Sequence, residues 1–487
     1  MTILILFMGL GFSFSQELNE PDDFLKKEFH QDRRQKFREK MPENSVAIFF
    51  ANAIRNRSND VDYVYHQDPD FYYLTGYREP HAVLLIFSDD QTDVDGNSYN
   101  EIIFVQPRNA RMEQWLGKRL GPAGVKAQLG FVQVFANNEF QKHNIDFGSF
   151  DKVLYKEFHN DVRDNQHDQG DLYSLIEQFK SKANYPDGYE RGVKINVETN
   201  ETKEKQRNLD NRTLVSIMTD LRGIKTKEEL TLLRKAVNIS TVAQVEVMKA
   251  MTPDMSETEI QGMHEYVFKK YGSEYEGYPS IVGAGHNGCV LHYINNSKPK
   301  VGNNLVLMDL GAEYHGYTAD VTRTIPANGK FSKEQKQIYD LVYKAQDEAI
   351  KMCRVGTTFR DVTMAARKII AEGLKELGII ENQTDAFLYF PHGLSHHIGL
   401  DVHDRGHYNV MQENMVITVE PGIYIPEDSK CDKKWWGIAV RIEDCILITD
   451  GEPELLSNIA PRKSDKIEAM MSKQSPLNQL KLPNIDE

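Results

Sequence analysis

The sequence predicts an N-terminal α/β domain followed by a larger α+β domain. Two patterns support this prediction. Short apolar runs alternate with helix-compatible stretches between about residues 44 and 198, which is typical of helices packed on a sheet. Beyond about residue 215, long amphipathic helices are interspersed with strands rich in Val, Ile and Thr, which indicates antiparallel sheet segments joined by turns.

In the first domain, strands are predicted at residues 45–51, 82–87, 101–105, 131–135 and 152–155, and a helix fits residues 171–182. Residues 193–211 are polar and charged, as is common in a surface connection. We therefore place the domain boundary near residue 215. The first domain then covers residues 16–215 and the second covers residues 216–472.

The helices of the second domain have clear starting signals. Thr226 and Glu229 match a capping box ahead of leucines at helical spacing. Ser332 is the N-cap candidate of a second helix at residues 333–353, and residues 358–377 fit a third helix.

The two ends of the chain differ from the domains. Residues 3–14 are apolar, and Ser13 and Ser15 occupy the small positions of a cleavage site, so residues 1–15 are predicted to be a signal peptide for export to the periplasm or the medium. Because no Lys or Arg precedes this stretch, a cytoplasmic protein is the alternative. Residues 473–487 are polar and contain prolines, which predicts a flexible tail.

Composition excludes several classes of protein. Lys and Arg total 58 against 72 Asp and Glu, and the net charge of −14 argues against nucleic acid as the main partner. No apolar run after residue 15 is long enough to cross a bilayer, so we expect no stable membrane span. The 4 dispersed cysteines do not form a disulfide scaffold, although their pairing stays open.

Candidate catalytic residues are concentrated between residues 305 and 443. Asp309 lies within the apolar run L-V-L-M-D-L, where a buried carboxylate needs a cation or several hydrogen-bond donors. A second strand predicted at residues 317–324 places Asp320 on one face with Thr318 and Thr322. Two carboxylates can therefore enter one pocket, although a lone Asp more commonly ends a strand or accepts hydrogen bonds in a turn.

The segment that follows is rich in histidine. His392, His396, His397 and His403 fall within 12 positions, out of 15 histidines in the whole chain. A lone His is usually a core or surface residue, but this density favours a functional site.

Two further carboxylates follow the histidines. Glu420 lies at the end of an apolar strand, ahead of a Pro-Gly turn, and Glu443 shares one face of another apolar strand with Arg441. The candidate ligand set is therefore Asp309, Asp320, His396, Glu420 and Glu443.

This set favours two divalent cations. Gathered without metal, the four carboxylates would carry about −4, and their repulsion would raise several pKa values. Oxygen-rich ligands with a single nitrogen suit Mn²⁺, which we expect, with Co²⁺, Fe²⁺ and Zn²⁺ as alternatives. Paired ions of this kind activate water and stabilise an oxyanion.

The order Asp, Asp eleven residues later, His, Glu, Glu resembles the pita-bread metallopeptidases, which include methionine aminopeptidase, prolidase and aminopeptidase P. The aminopeptidase P branch is the most similar, through M-D-L-G, Y-T-A-D-V-T-R-T, P-H-G-L-S-H-H-I-G-L-D-V-H-D, T-V-E-P-G-I-Y-I, V-R-I-E-D and an N-terminal signature at residues 65–80. The resemblance covers residues 28 to 472. It implies a C-terminal pita-bread domain, of the creatinase and methionine aminopeptidase type, behind an N-terminal aminopeptidase P-type domain.

The resemblance also implies roles for the ligands. Asp309 chelates one metal, Asp320 and Glu443 bridge both metals, and His396 and Glu420 complete the shell of the other. Glu420 additionally handles the proton of the nucleophile.

Further positions match residues around the substrate in the family. His292 and His403 match histidines that hydrogen-bond the scissile peptide and its product. His392 and Arg441 match residues of the pocket for proline. Trp115 matches a tryptophan that a neighbouring subunit contributes in some relatives. His397 occupies a position that is usually aromatic, so we expect a wall residue there and not a sixth ligand.

The implied activity is removal of the N-terminal residue from peptides with proline in second position, by an Xaa-Pro aminopeptidase that forms a homodimer or a homotetramer. A bond before proline is a tertiary amide without an N–H, which a dinuclear site tolerates because it needs the carbonyl oxygen. A prolidase restricted to Xaa-Pro dipeptides is the alternative. A non-catalytic pita-bread binding protein is less favoured, because all five ligand positions are filled.

Overall fold

A computed structural model describes residues 21–158, 162–185, 208–480 and 482. The predicted signal peptide lies outside these residues, as does most of the polar connection predicted at residues 193–211. In the part of the chain that is described, no helix has the length and apolar character needed to cross a bilayer.

The N-terminal domain contains a mixed sheet, as the sequence predicts. In sheet order its described strands are Val134–Ala136, Ser98–Val105, Val83–Thr92, Ser45–Phe50, Lys152–Leu154 and Leu209–Asp210. The central pairs are antiparallel and the outer pairs are parallel. Asn56–Ser58 and Val61–Asp62 form a separate hairpin.

The helices of this domain are Lys27–Arg38, Pro69–Thr75, Ala110–Leu116, Gly121–Leu129 and Leu172–Lys182.

Both faces of this sheet are covered. Ala47 and Phe49 of the central strand pack into the main hydrophobic core, whereas Val46 and Ile48 pack into a second cluster on the other side. This is the alternation expected of a strand with layers on both faces.

The second domain begins with helices, and the predicted starting signals are present. The side chains of Thr226 and Glu229 form the capping box, and Ser332 caps the helix that follows it. The described helices are Thr213–Gly223, Lys227–Ala250, Glu257–Lys270, Lys333–Met352, Phe359–Glu376 and Ser464–Met471.

The described strands of the second domain pair in antiparallel groups. The groups are Ile281–Ala284 with Leu305–Asp309 and Thr322–Pro326; Tyr317–Thr318 with Ala312–Tyr314 and Tyr275–Glu276; Val416–Val419 with Asp444–Leu447 and Glu454–Leu455; and Gly422–Ile425 with Ile438–Arg441. The prediction of one strand over residues 317–324 is wrong. Its two halves pair with different partners, so the chain leaves one sheet and enters another, and Asp320 lies on the link between them.

Two predicted boundaries fall close to structural changes. Residue 215 lies inside helix Thr213–Gly223, while strand Leu209–Asp210 still belongs to the N-terminal sheet. The predicted flexible tail contains a 3₁₀ turn at Pro476–Gln479, and Leu477 in that turn is buried. These positions are therefore packed against the domain.

Candidate metal centre

A cavity of about 820 Å³ in the second domain gathers most of the predicted site residues. Its wall contains the whole candidate ligand set together with His292, His392, His403 and Arg441. The cavity is also lined by Leu291, Ile294 and Val402, which add an apolar surface beside the charged groups.

The ends of antiparallel strands bring the carboxylates together. Asp309 is the last residue of its strand and pairs with Thr322 on the next one. Glu443 follows strand Ile438–Arg441, and its backbone N–H donates to the Thr322 carbonyl at 3.1 Å. Glu420 follows strand Val416–Val419. The ends of these strands lie close together, so side chains from distant parts of the sequence meet in the cavity.

His396 lies at the centre of the carboxylates. Its Nε2 is 3.4 Å from Asp320 Oδ2, 3.6 Å from Glu420 Oε1 and 4.0 Å from Glu443 Oε1. Ligand atoms of Asp320, His396 and Glu443 all lie within 4.8 Å of one another. This spacing is close to that of ligands sharing one ion.

Asp309 is linked to this group by a tyrosine that the sequence analysis missed. The Tyr278 hydroxyl lies 2.7 Å from Asp309 Oδ1 and 2.7 Å from Asp320 Oδ1. A phenol carries one proton, so it cannot donate to two ionised carboxylates at once. The other Asp309 oxygen, Oδ2, accepts a hydrogen bond from Arg441.

Burial and mutual repulsion shift the pKa values of the clustered carboxylates. Burial, with the charge of Asp309 next, raises the pKa of Asp320 well above its usual value. Burial also raises the pKa of Glu420, with repulsion from Glu443 as the next cause. The pKa of Glu443 is likewise raised by burial, with repulsion from Asp320 as the next cause. For Asp309 burial acts in the same direction, but Arg441 and the Tyr278 hydrogen bond hold its pKa below the usual value.

These features fit the binding of divalent metal. Buried carboxylates with raised pKa values are stabilised when a metal supplies the opposing charge. The donors are oxygen atoms and one imidazole nitrogen, as expected for hard or borderline ions.

Neighbouring groups orient two of the ligands. His396 Nδ1 donates to the His397 carbonyl at 3.0 Å, which directs Nε2 toward the carboxylates. The Thr322 hydroxyl donates to Glu443 Oε2 at 2.7 Å. Thr322 was expected to share a face with Asp320, but its role as a partner of Glu443 was not predicted.

A chain of hydrogen bonds keeps His392 neutral. Arg441 Nη1 donates to the Tyr424 hydroxyl at 2.9 Å, so the hydroxyl proton is available to His392 Nε2, also at 2.9 Å. Burial, assisted by the charge of Arg441, lowers the pKa of His392 to about 4. Tyr424 was not singled out from the sequence, although it lies within the motif T-V-E-P-G-I-Y-I.

His403 lies beside the candidate ligand His396 in the wall of the cavity. Its ring centroid is 4.3 Å from that of His396, in an edge-on arrangement. Burial, followed by the charges of His396 and His292, lowers the pKa of His403. A neutral imidazole at this position is suited to hydrogen bonding with a peptide.

Two predicted residues lie outside the cavity wall. His397 is buried behind it, where its Nε2 contacts the His407 carbonyl at 3.1 Å and its ring packs against Phe359 and Tyr408. It is therefore a packing residue and not the wall residue we expected. Trp115 is 81% exposed on helix Ala110–Leu116 and does not line the cavity within the described chain.

Comparison with known proteins identifies the family. Residues 231–450 match Metallopeptidase family M24, and residues 30–152 match the N-terminal domain of aminopeptidase P. The Xaa-Pro aminopeptidase of Escherichia coli K12 is 35% identical over 453 residues, which cover 91% of this chain and 97% of the relative. The chain belongs to metallopeptidase family M24.

Solved structures of this family share the fold. E. coli aminopeptidase P with the inhibitor Pro-Leu superposes with a TM-score of 0.78 at 32% identity, covering 92% of this chain and 98% of that one. A Zn-substituted form in complex with product gives a TM-score of 0.78 at 31% identity over the same shares of the two chains. The family assignment makes this chain a metallo-aminopeptidase, and all five candidate ligands lie inside the matched residues 231–450.

Proposed function

We propose that this chain removes the N-terminal residue from peptides with proline in second position, using two divalent cations, of which Mn²⁺ is the expected ion. The convergence of four carboxylates and His396 in one cavity carries this proposal. The names of the E. coli relatives support the choice of Xaa-Pro peptides.

The surroundings of the ligands suit a proline ring. His392, Tyr424 and Arg441 form a hydrogen-bonded wall with neutral His392 at the cavity surface. Their hydrogen-bonding groups already have partners within the protein, so this wall does not require a hydrogen bond from the substrate backbone. That is an advantage for proline, whose nitrogen has no proton to donate.

The reaction is hydrolysis of the peptide bond before proline. When bound, the two cations polarise the scissile carbonyl and lower the pKa of water. Asp309, Asp320 and Glu443 would hold the ions, and His396 and Glu420 would complete the donor set. Glu420 accepts the proton of the attacking water on a carboxylate oxygen and delivers it to the prolyl nitrogen that leaves. His292 and His403 donate hydrogen bonds to the substrate and stabilise the developing oxyanion.

Assembly and location belong to the same proposal. The exposure of Trp115 supports a homodimer or homotetramer, in which this side chain reaches the cleft of a neighbouring subunit. The apolar residues 3–14 support export, with a cytoplasmic protein as the alternative.

Peptide length and metal dependence test the proposal in one assay. The chelated protein is supplied with an Xaa-Pro dipeptide, an Xaa-Pro-Xaa tripeptide and an Xaa-Ala-Xaa control, before and after Mn²⁺ is restored. We expect cleavage of the Xaa-Pro-Xaa peptide with Mn²⁺ alone, and little cleavage of the control. Cleavage confined to the dipeptide would show a prolidase, and no cleavage by the folded, Mn²⁺-loaded protein would show a binding protein.

The role of Glu420 is tested separately. Glu420→Ala is expected to abolish turnover in a chain that stays folded, as judged by circular dichroism. Activity near that of the wild type would refute the proton transfer assigned to this residue.

A further inference from the structure

A buried ionic network joins the N-terminal domain to the segment that carries His403. Asp70 lies on helix Pro69–Thr75 of the first domain and is buried. Its Oδ1 accepts a hydrogen bond from Arg222 Nη1 at 2.6 Å, and its Oδ2 accepts one from Arg405 Nη2 at 2.9 Å. Both arginines belong to parts of the chain beyond the N-terminal sheet.

The same network forms hydrogen bonds with Asp404, the residue next to His403. Arg222 Nη2 donates to Asp404 Oδ1, and Lys225 Nζ donates to Asp404 Oδ2 at 2.6 Å. Arg222, Lys225 and Asp404 are all buried. Both oxygens of the Asp404 carboxylate are therefore fixed by cations, one of which is itself held by Asp70.

A backbone carbonyl connects this network to the metal ligands. The Asp404 N–H donates to the His397 carbonyl at 2.9 Å, and the same carbonyl accepts from His396 Nδ1 at 3.0 Å. The His397 carbonyl is therefore shared by the His396 imidazole and by Asp404, which immediately follows His403 in the chain.

Removing the negative charge of Asp70 would change the balance of charges in this buried network. Asp70 faces Arg222 and Arg405 and lies 3.8 Å from Lys156. Without the Asp70 charge, Arg222 would be held by Asp401 and Asp404 alone, and breaking one side of a buried ion pair in this way is destabilising and favours a shift of the remaining partners. A shift of Arg222 would move Asp404 directly.

We propose that Asp70 of the N-terminal domain is a positioning residue for catalysis. It acts through Arg222 and Asp404, which hold residues 401–405 so that His403 faces the metal centre. This gives a function to the N-terminal signature at residues 65–80, whose side chains do not line the catalytic cavity in the described chain. The inference rests on the proposed function, since the effect is read as peptide hydrolysis.

The first test replaces Asp70→Asn and measures Xaa-Pro-Xaa hydrolysis at saturating Mn²⁺. Misplacement of a substrate-binding group by about 1 Å costs about 10²-fold in rate, so we expect kcat/KM to fall by about that factor. The matched control is Glu101→Gln, which weakens the partly buried ion pair with Arg34 at 2.8 Å inside the N-terminal domain. We expect the control to keep activity near that of the wild type. An equal loss in the two variants would overturn the proposal, since it would show a general effect on the N-terminal domain.

The second test separates positioning from general loosening. In a His403→Ala background, Asp70→Asn should lower kcat/KM by less than about threefold, because the group that Asp70 positions is already absent. A full, independent loss in the double variant would overturn the proposal. If Asp70→Asn does not fold, Arg405→Gln, whose side chain is 21% exposed, tests the same link. It should lower kcat/KM several-fold with His403 present and not in its absence, and unchanged activity would overturn the proposal.

The two proposals fail in different ways. A wild-type chain that cleaves no Xaa-Pro peptide contradicts the proposed function. An active wild type with an equally active Asp70→Asn variant contradicts the positioning role alone.

Discussion

The hydroxyl of Thr322 donates a hydrogen bond of 2.7 Å to Glu443 Oε2. Both residues are buried, and Thr322 is the register partner of Asp309 on the neighbouring strand. A side chain that binds no metal in our proposal therefore fixes the rotamer of a proposed bridging ligand. The hydrogen bond also occupies one carboxylate oxygen of Glu443, which restricts the orientation in which this carboxylate can bind the ions.

Replacement of Thr322→Val is expected to weaken Mn²⁺ binding about 10- to 100-fold, since groups that orient metal ligands typically contribute that much. The hydroxyl also accepts a long contact of 3.3 Å from Arg441 Nε, which is lost as well. Thr322→Ser keeps the hydroxyl and serves as the control. Isothermal titration of the chelated proteins with Mn²⁺ measures the difference, and equal affinities in the two variants would refute an orienting role.

The stability of the metal-free protein should depend on pH. The folded chain raises the pKa values of Asp320, Glu420 and Glu443, chiefly through burial, so their stabilising protonated forms are lost as pH rises through the raised values. Asp309 has a lowered pKa, so its contribution to stability changes with pH in the opposite direction. It is one group against the three carboxylates with raised pKa values. The Tm of chelated protein should therefore fall between about pH 7 and pH 8, above the unfolded histidine pKa of about 6.5, because below it the lowered pKa values of His392 and His403 act in the opposite direction.

Mn²⁺ should reverse this loss. Binding to the folded state raises Tm, and the increment should be larger at pH 8 than at pH 5, because the cation competes with protons for the same carboxylates. Differential scanning fluorimetry with and without Mn²⁺ measures both effects. A Tm increment that is constant over this range would contradict the charge distribution described for the cavity.

The sequence was sufficient to predict which five candidate ligands meet in the cavity, because each residue lies in a short, distinctive motif. Asp309, His396 and Glu420 are recognisable from neighbours within a few positions, and their strands or turns form as local patterning predicts. Asp320 was also identified, but on a continuous strand, because period-two alternation does not reveal that Tyr317–Thr318 and Thr322–Pro326 pair with different sheets.

The contacts that the sequence did not predict are long-range or lack a periodic signal. Tyr278 meets Asp309 and Asp320 across 31 and 42 positions, and nothing in E-G-Y-P distinguishes it from a structural tyrosine. The pair Asp70 and Arg222 is separated by 152 positions and joins two domains, so only the packed fold brings it together.

His397 provides a test of which histidines bind metal. His397→Phe should leave kcat within about threefold of the wild type and change the free energy of unfolding by less than about 1 kcal/mol. The variant loses one hydrogen bond to a backbone carbonyl, but it also removes a buried Nδ1 that has no partner among the described residues. His396→Phe is the matched variant and should abolish Mn²⁺-dependent hydrolysis. Equal activity in the two variants would mean that the ligand has been misassigned.

Tyr424 should affect substrate binding more than the chemical step. Tyr424→Phe leaves Arg441 Nη1 and His392 Nε2 without the shared hydroxyl, at a cost of about 1–3 kcal/mol per unpaired buried group. We expect KM for Xaa-Pro-Xaa peptides to rise about tenfold, with a smaller change in kcat. Tyr343→Phe, which removes a half-exposed hydroxyl beside Asp347, is the control. A KM equal to that of the control would argue against a role for this wall in binding proline.

The number of divalent ions bound per chain tests the central claim most directly. Chelated protein is dialysed against Mn²⁺ and the bound metal is counted by atomic emission, for the wild type and for Glu443→Gln, which alters a proposed bridging ligand. Our proposal predicts two ions per wild-type chain and fewer in the variant. A folded wild-type chain that retains no Mn²⁺, or a variant that still binds two ions with unchanged affinity, would contradict it.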